Sequence, residues 1–123
     1  MLDSIPKVKY PPMNEIHEKE AKVLDDLLEA LENDENVKDK FEIFFDDVKH
    51  HFKFEEDLMD KYNFFAKIPH KMEHDKVIKE LEQVRDFDNE NMKKYFYEKF
   101  IPWLENHILT IDTVTAGYFD MVE

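Results

Sequence analysis

The sequence predicts an all-α fold: an antiparallel, up-down four-helix bundle with an extended N-terminal arm and a short C-terminal segment. Three observations carry this. Only one glycine occurs in 123 residues, whereas sheets and hairpins need glycine at turns with positive φ. Glu, Lys, Asp, Leu and Met are abundant, and apolar residues recur with a period of about 3.6. Four amphipathic stretches follow one another through short connections, as in an antiparallel bundle.

Residues 1–12 read as an arm, because Pro6, Pro11 and Pro12 oppose helix and restrict the residues before them. Asn14 is the expected cap of a first helix over 14–33, with Ala21, Leu24, Leu28 and Leu31 as its apolar stripe and His17 one turn earlier. Asn33-Asp34-Glu35-Asn36 reads as a turn. A second helix is expected over 37–62. Phe41, Phe44, Phe45, Val48, Phe52, Met59 and Tyr62 form its inner face, and His51, Glu55 and Leu58 follow the same spacing. Pro69 suits the first turn of a third helix over 69–86, whose stripe is His70, His74, Val77, Ile78, Leu81 and Val84. After a break at Asp86, Asp88 and Asn89, a fourth helix runs from 89 to about 116. Its inner positions include Phe96, Phe100, Trp103, His107, Ile111 and Val114. Pro102 is expected to kink or split it, and Gly117 to end it, leaving Tyr118 to Glu123 as a separate piece. The chain reads as one domain over 1–123, with the arm at 1–12 and the bundle at 13–117.

Composition narrows the functions. Lys plus Arg number 17 against 30 Asp plus Glu, a formal net charge of −13. Such a chain repels nucleic-acid phosphates and anionic membranes. Cysteine is absent, which excludes disulfides, thiolate metal sites and a cysteine nucleophile. No apolar run reaches the roughly 18 residues of a membrane span, and the N-terminus lacks a secretory pattern, so a cytoplasmic location is expected.

The six histidines, at 17, 50, 51, 70, 74 and 107, do not suit an ordinary core. A lone histidine on an apolar face is usually a hydrogen-bonded core residue, but five fall on inner faces of four helices, and each unmatched buried nitrogen costs about 1 kcal/mol or more. His51 and Glu55 are four apart and share a face; so do His70 and His74. His107 and Asp112 are five apart, which on an ideal helix separates them by about 140°. That offset suits a terminal imidazole and a carboxylate bridging to a neighbouring ion. Glu55 and Asp112 on apolar faces each require a cation. Five imidazoles and two carboxylates are too many for one ion and suit two. Without thiolate, the donor set favours iron, manganese or zinc. His50 points about 100° from His51 and reads as a surface residue. Glu56 reads as solvated, and Glu73 as facing away from the paired histidines.

These residues resemble the hemerythrin family in its single-domain bacterial form (bacteriohemerythrin). His17 stands in NEIHEKE, His51 and Glu55 in HHFKFEEDLM, His70 and His74 in HKMEHD, and His107 and Asp112 in WLENHILTID. The resemblance spans residues 13–120. It departs at Asn14, where an Asp is usual, and in lacking a tryptophan near the N-terminus. It implies a non-haem di-iron centre, oxo- or hydroxo-bridged. His70, His74 and His107 would hold one iron, His17 and His51 the other, and Glu55 and Asp112 would bridge them. The iron one ligand short would take dioxygen. By the same resemblance Trp103, Leu104 and Ile108 would wall the ligand pocket.

The function the resemblance implies is reversible dioxygen binding for carriage, storage, delivery or sensing, in a binding protein and not an enzyme. The alternative is a di-iron redox enzyme acting on peroxide or nitric oxide. No Glu lies three residues before any histidine, which counts against the ferritin-like Glu-x-x-His enzymes. A metal-free interaction bundle would leave buried polar groups half satisfied, at high cost.

Overall fold

Among the residues that the computed structural model describes, 5–123, there are four helical stretches and no strand. The composition's all-helical reading holds. The first four residues of the expected arm lie outside the described residues. Helix α1 spans Pro11–Glu32, α2 spans Lys38–Lys61 and α3 spans Lys67–Val84. The fourth stretch, α4, is an unbroken helical run over residues 89–122. It comprises α-helical Asn89–Tyr95, Ile101–His107 and Thr113–Val122, joined by π-helical Phe96–Phe100 and Ile108–Asp112.

The prolines at 11 and 12 begin α1 instead of delaying it. They occupy its first two positions, where the missing N–H groups need no helical partner. Asn14 is therefore not the cap. Its Oδ1 accepts from Val8 N at 2.9 Å and its Nδ2 donates to Val8 O at 2.8 Å, pinning the preceding segment to the helix. Tyr10 is the N-cap residue.

With one glycine available, the tight turns use Asp and Asn. Asp34 and Asn63 have φ of 52° and 51°, and both tolerate the left-handed region better than most residues. Each stands just past a helix end. Glu35 N reaches Ala30 O and Asp34 N reaches Leu31 O; Phe64 N reaches Met59 O and Asn63 N reaches Asp60 O. This doubled pattern is the Schellman motif. At the start of α4, Asp88 accepts from Asn91 N and caps the helix.

The core is aromatic. Phe41, Phe44, Phe45, Phe96, Phe100 and Phe119 are all fully buried, with Leu24, Leu27, Leu28 and Leu81. Phe44 meets Phe96 and Phe100 edge-on at 5.5 and 5.4 Å, ring to ring. Each such side chain contributes about 1.5–3 kcal/mol through burial, which ties α2 to α4.

In α4 the sequence reading needs three corrections. Pro102 neither splits nor breaks the helix; Phe100 and Ile101 keep helical dihedrals. Proline cannot donate to the carbonyl four residues back, and the π-helical turn over 96–100 immediately precedes it. The second π segment shifts the inward face by one residue. Thr115 and Ala116 are buried as a result, while Val114, expected inside, is 53% exposed. Finally, Gly117 does not end the helix, which continues to Val122. There Glu123 accepts from the hydroxyls of Tyr10 at 2.6 Å and Tyr62 at 3.0 Å.

A Cβ at Gly117 would meet nothing within 4 Å, and its φ is not positive. Gly117→Ala should therefore stabilise the fold by about 0.4–1 kcal/mol. Urea unfolding with an unchanged m-value checks this; a loss of stability would mean that position 117 needs its glycine.

Candidate metal centre

All four helices send polar side chains to one buried place. α1 supplies His17, α2 supplies His51 and Glu55, α3 supplies His70 and His74, and α4 supplies His107 and Asp112. Glu55 and Asp112 are 0% exposed, and none of the five imidazoles exceeds 2%. Their ligating atoms fall into two groups, each within 4.8 Å: Glu55 with His70, His74 and His107, and His17 with His51, Glu55 and Asp112.

The local helix geometry explains the convergence. His51 and Glu55, and His70 and His74, are single α-turns apart. His107 and Asp112 are five apart, and the π-helical turn between them closes with an i→i+5 bond in place of i→i+4. It brings His107 Nε2 to 3.2 Å from Asp112 Oδ1. The ideal-helix offset expected between the two is thereby removed. Thr113 and Thr115 hydroxyls donate to the Ile108 and Ile111 carbonyls along this segment.

The atoms at the centre point at common space and not at one another. His70 Nε2 lies 3.1 Å from Asp112 Oδ1 and 3.2 Å from Glu55 Oε1, and His17 Nε2 lies 3.2 Å from Asp112 Oδ2. Yet Nε2 of His17, His70, His74 and His107, with Glu55 Oε1 and both oxygens of Asp112, has no hydrogen-bond partner. Only His51 Nε2 makes one inside the centre, to Glu55 Oε2 at 2.7 Å. Orphaned buried polar atoms at this density cost far more than a fold of marginal stability tolerates. Cations at the two foci would satisfy them. Five imidazoles and two carboxylates fit a pair of divalent or trivalent metal ions.

Around the centre, four of the five imidazoles are held from behind. His51 Nδ1–H donates to Glu20 Oε1 at 3.0 Å, His74 Nδ1–H to Glu56 Oε2 at 2.9 Å, and His107 Nδ1–H to Glu73 Oε1 at 3.2 Å. His70 Nδ1–H donates to Thr115 Oγ1 at 2.8 Å, since the Thr115 hydrogen is already given to Ile111. These bonds fix the tautomer that leaves Nε2 free for a metal. His17 Nδ1 alone is buried with no partner. Two sequence expectations fail here: Glu56 is not merely solvated, and Glu73 does not face away. Glu20 and Thr115 escaped the sequence reading. The spacing offered a signal, because Glu20 and Glu73 each follow a histidine by three. His50 is exposed, its Nδ1–H on the Asp46 carbonyl.

Aromatic rings press on two of these imidazoles. Phe52 stacks on His74 at 3.8 Å with planes 2° apart, and Trp103 on His107 at 4.6 Å and 23°. Of the three residues expected to wall a pocket, Leu104 and Ile108 are buried and Trp103 is partly exposed.

Electrostatics follow from this packing. Burial opposes protonation of His17 and His70, but the carboxylates of Asp112 and Glu55 outweigh it and lift both to about 9 from 6.5. His51 is raised against its burial by Glu55 and Glu20. Burial alone would raise Glu55, but His51, His17 and His70 hold it well below the carboxylate range. Metal-free, the centre therefore keeps protons on His17 and His70 at neutral pH, and a metal must displace them. Loading should release protons, and metal affinity should rise as pH climbs from 6.5 toward about 9. An indicator-dye titration checks both, and pH-independent loading would count against them. Glu20→Ala, which frees the His51 ring, should weaken metal binding by about 10–100-fold with the helical circular dichroism retained.

Comparison with known proteins agrees with the geometry. A family model described as the hemerythrin HHE cation binding domain matches residues 9–118. The chain is 32% identical over 124 residues to a bacteriohemerythrin of Aquifex aeolicus (strain VF5), covering 93% of this chain and 92% of that protein. It is 34% identical over 107 residues to hemerythrin-like proteins of Naegleria gruberi and Naegleria fowleri, covering 85% of this chain and 82% of each. No solved structure is significantly similar. A match across most of the sequence, joined to two adjoining clusters of buried histidine and carboxylate, means that the chain belongs to the hemerythrin family.

Proposed function

We propose that this protein binds dioxygen reversibly at a non-haem di-iron centre, as a binding protein and not an enzyme. The observation that carries the reading is the pair of adjoining ligand clusters, whose buried Nε2 and carboxylate oxygens lack partners and share Glu55. In this reading residues 1–123 form one hemerythrin-like domain, an up-down antiparallel bundle behind an N-terminal arm. His70, His74 and His107 would hold one iron, His17 and His51 the other, with Glu55 and Asp112 shared between them.

When bound, the iron pair supplies two electrons to dioxygen and recovers them when dioxygen leaves. The protein's part is positioning and exclusion. With two imidazoles against three, the His17–His51 position would have one protein ligand fewer and would be the one that takes dioxygen. Glu20 holds His51 in the tautomer that presents Nε2. Leu104 and Ile108 are buried apolar residues on α4. As pocket walls they keep water out and offer no proton, which disfavours irreversible oxidation. Among the described residues no helix is long and apolar enough to cross a membrane.

The decisive experiment is iron analysis with a visible spectrum through a cycle of anaerobic reduction, oxygenation and oxygen removal. Two irons per chain and a coloured form that bleaches reversibly are expected. Failure to take up iron on anaerobic reconstitution, or direct passage to a stable oxidised form, would overturn the reading. His74→Ala should lose at least one iron, and Leu104→Ala should accelerate autoxidation severalfold. Full iron occupancy in the first variant, or an unchanged rate in the second, would remove that residue from its role.

A further inference from the structure

A buried redox centre needs a route for electrons from the surface, and one side chain reaches from a buried imidazole to the surface. The Trp103 indole lies against the His107 imidazole, centroids 4.6 Å apart. Its outer side is partly exposed and lines a hollow of about 360 Å³ with Lys76, Glu80, Tyr95, Lys99 and Phe100. A second hollow of about 480 Å³ adjoins it, sharing Glu80, Tyr95 and Lys99. Together they reach the size of small-molecule sites.

The lining of this hollow carries two lysines against one acid, in a chain whose acids outnumber its bases. In the groove between α2 and α3 three of the four lysines are in ion pairs, Lys53 with Asp57 at 3.0 Å, Lys67 with Asp60 at 3.4 Å and Lys71 with Asp75 at 3.1 Å, and Lys49 lies over the Phe45 ring at 4.1 Å. Among the described residues Lys76 and Lys99, which line the hollow, form no such pair. The acid beside them, Glu80, accepts a hydrogen bond from the Tyr95 hydroxyl at 3.0 Å. Two available ammonium groups beside an aromatic face, on a chain of net charge −13, suit a planar ligand bearing an anionic group.

We propose that this hollow receives a reduced flavin mononucleotide, its ring against Trp103 and its phosphate on Lys76 and Lys99, and that Trp103 and His107 carry its electrons to the metal centre. The inference rests on the di-iron reading above. One dihydroflavin gives up two electrons and two protons. Each ferric ion takes one electron and becomes ferrous, and the protons pass to solvent as oxidised flavin departs. The outcome is return of an autoxidised centre to the state that takes dioxygen.

Trp103 is the only tryptophan, so its fluorescence reports binding without reference to iron. Oxidised flavin mononucleotide should quench it saturably. Riboflavin, which lacks the phosphate, should bind about tenfold more weakly, and the double variant Lys76→Glu/Lys99→Glu should erase that difference. Mixed anaerobically with the oxidised, iron-loaded protein, reduced flavin mononucleotide should react about tenfold faster than reduced riboflavin. The double variant should lose this advantage while keeping wild-type iron content and visible spectrum. Equal quenching by the two flavins, or an advantage surviving in the variant, would overturn the proposal. Phosphate-selective quenching in a chain that takes up no iron would overturn the electron route and the di-iron reading together. Full iron loading with no flavin preference would overturn this proposal alone.

Discussion

Everything in this molecule answers to two carboxylates held entirely out of water. Glu55 and Asp112 are 0% exposed, on helix faces whose other buried residues include His51, His107 and Thr115 but are mostly apolar. Left alone, each would forfeit its hydration and gain nothing. Five imidazoles from four helices gather round them, and these in turn present nitrogens that only a cation or a proton satisfies. The helices are placed by what this centre requires as well as by the phenylalanine core.

The bonds that hold the imidazoles from behind also hold the helices to one another. His51–Glu20 joins α2 to α1, His74–Glu56 joins α3 to α2, and His70–Thr115 and His107–Glu73 join α3 and α4. Each crosses between helices, so orienting a ligand and aligning two helices are one act. His17 stands outside this scheme, its Nδ1 unpaired. The cluster with only two imidazoles is thus also the less firmly braced.

Much of this was legible in the chain. The i,i+4 pairs His51–Glu55 and His70–His74 predict a shared face because an α-turn dictates it, and scarcity of glycine predicts helices. The features that escaped did so for physical reasons. Whether Glu56 or Glu73 meets water or an imidazole depends on a neighbouring helix, and spacing along one helix carries no information about that. Pro11 and Pro12 oppose helix in general but suit its first turn, and nothing in the chain marks which role they take. A 3.6-residue period carried throughout α4 puts Val114 inside where Thr115 belongs, and the five-residue step from His107 to Asp112 is the mark in the chain that the period changes.

The π-helical turn at 108–112 makes that part of the site a matter of counting. Its register depends on how many residues occupy the segment more than on which ones they are. Closing the same residues as an ordinary α-turn would rotate everything beyond them by about 100°, swinging Asp112, Thr115 and Phe119 away from their partners together. Most surface segments accept insertions and deletions while their charges vary freely. Here length and turn type should change together, a segment one residue shorter keeping the site only by closing i→i+4, while composition drifts at exposed positions such as Leu109.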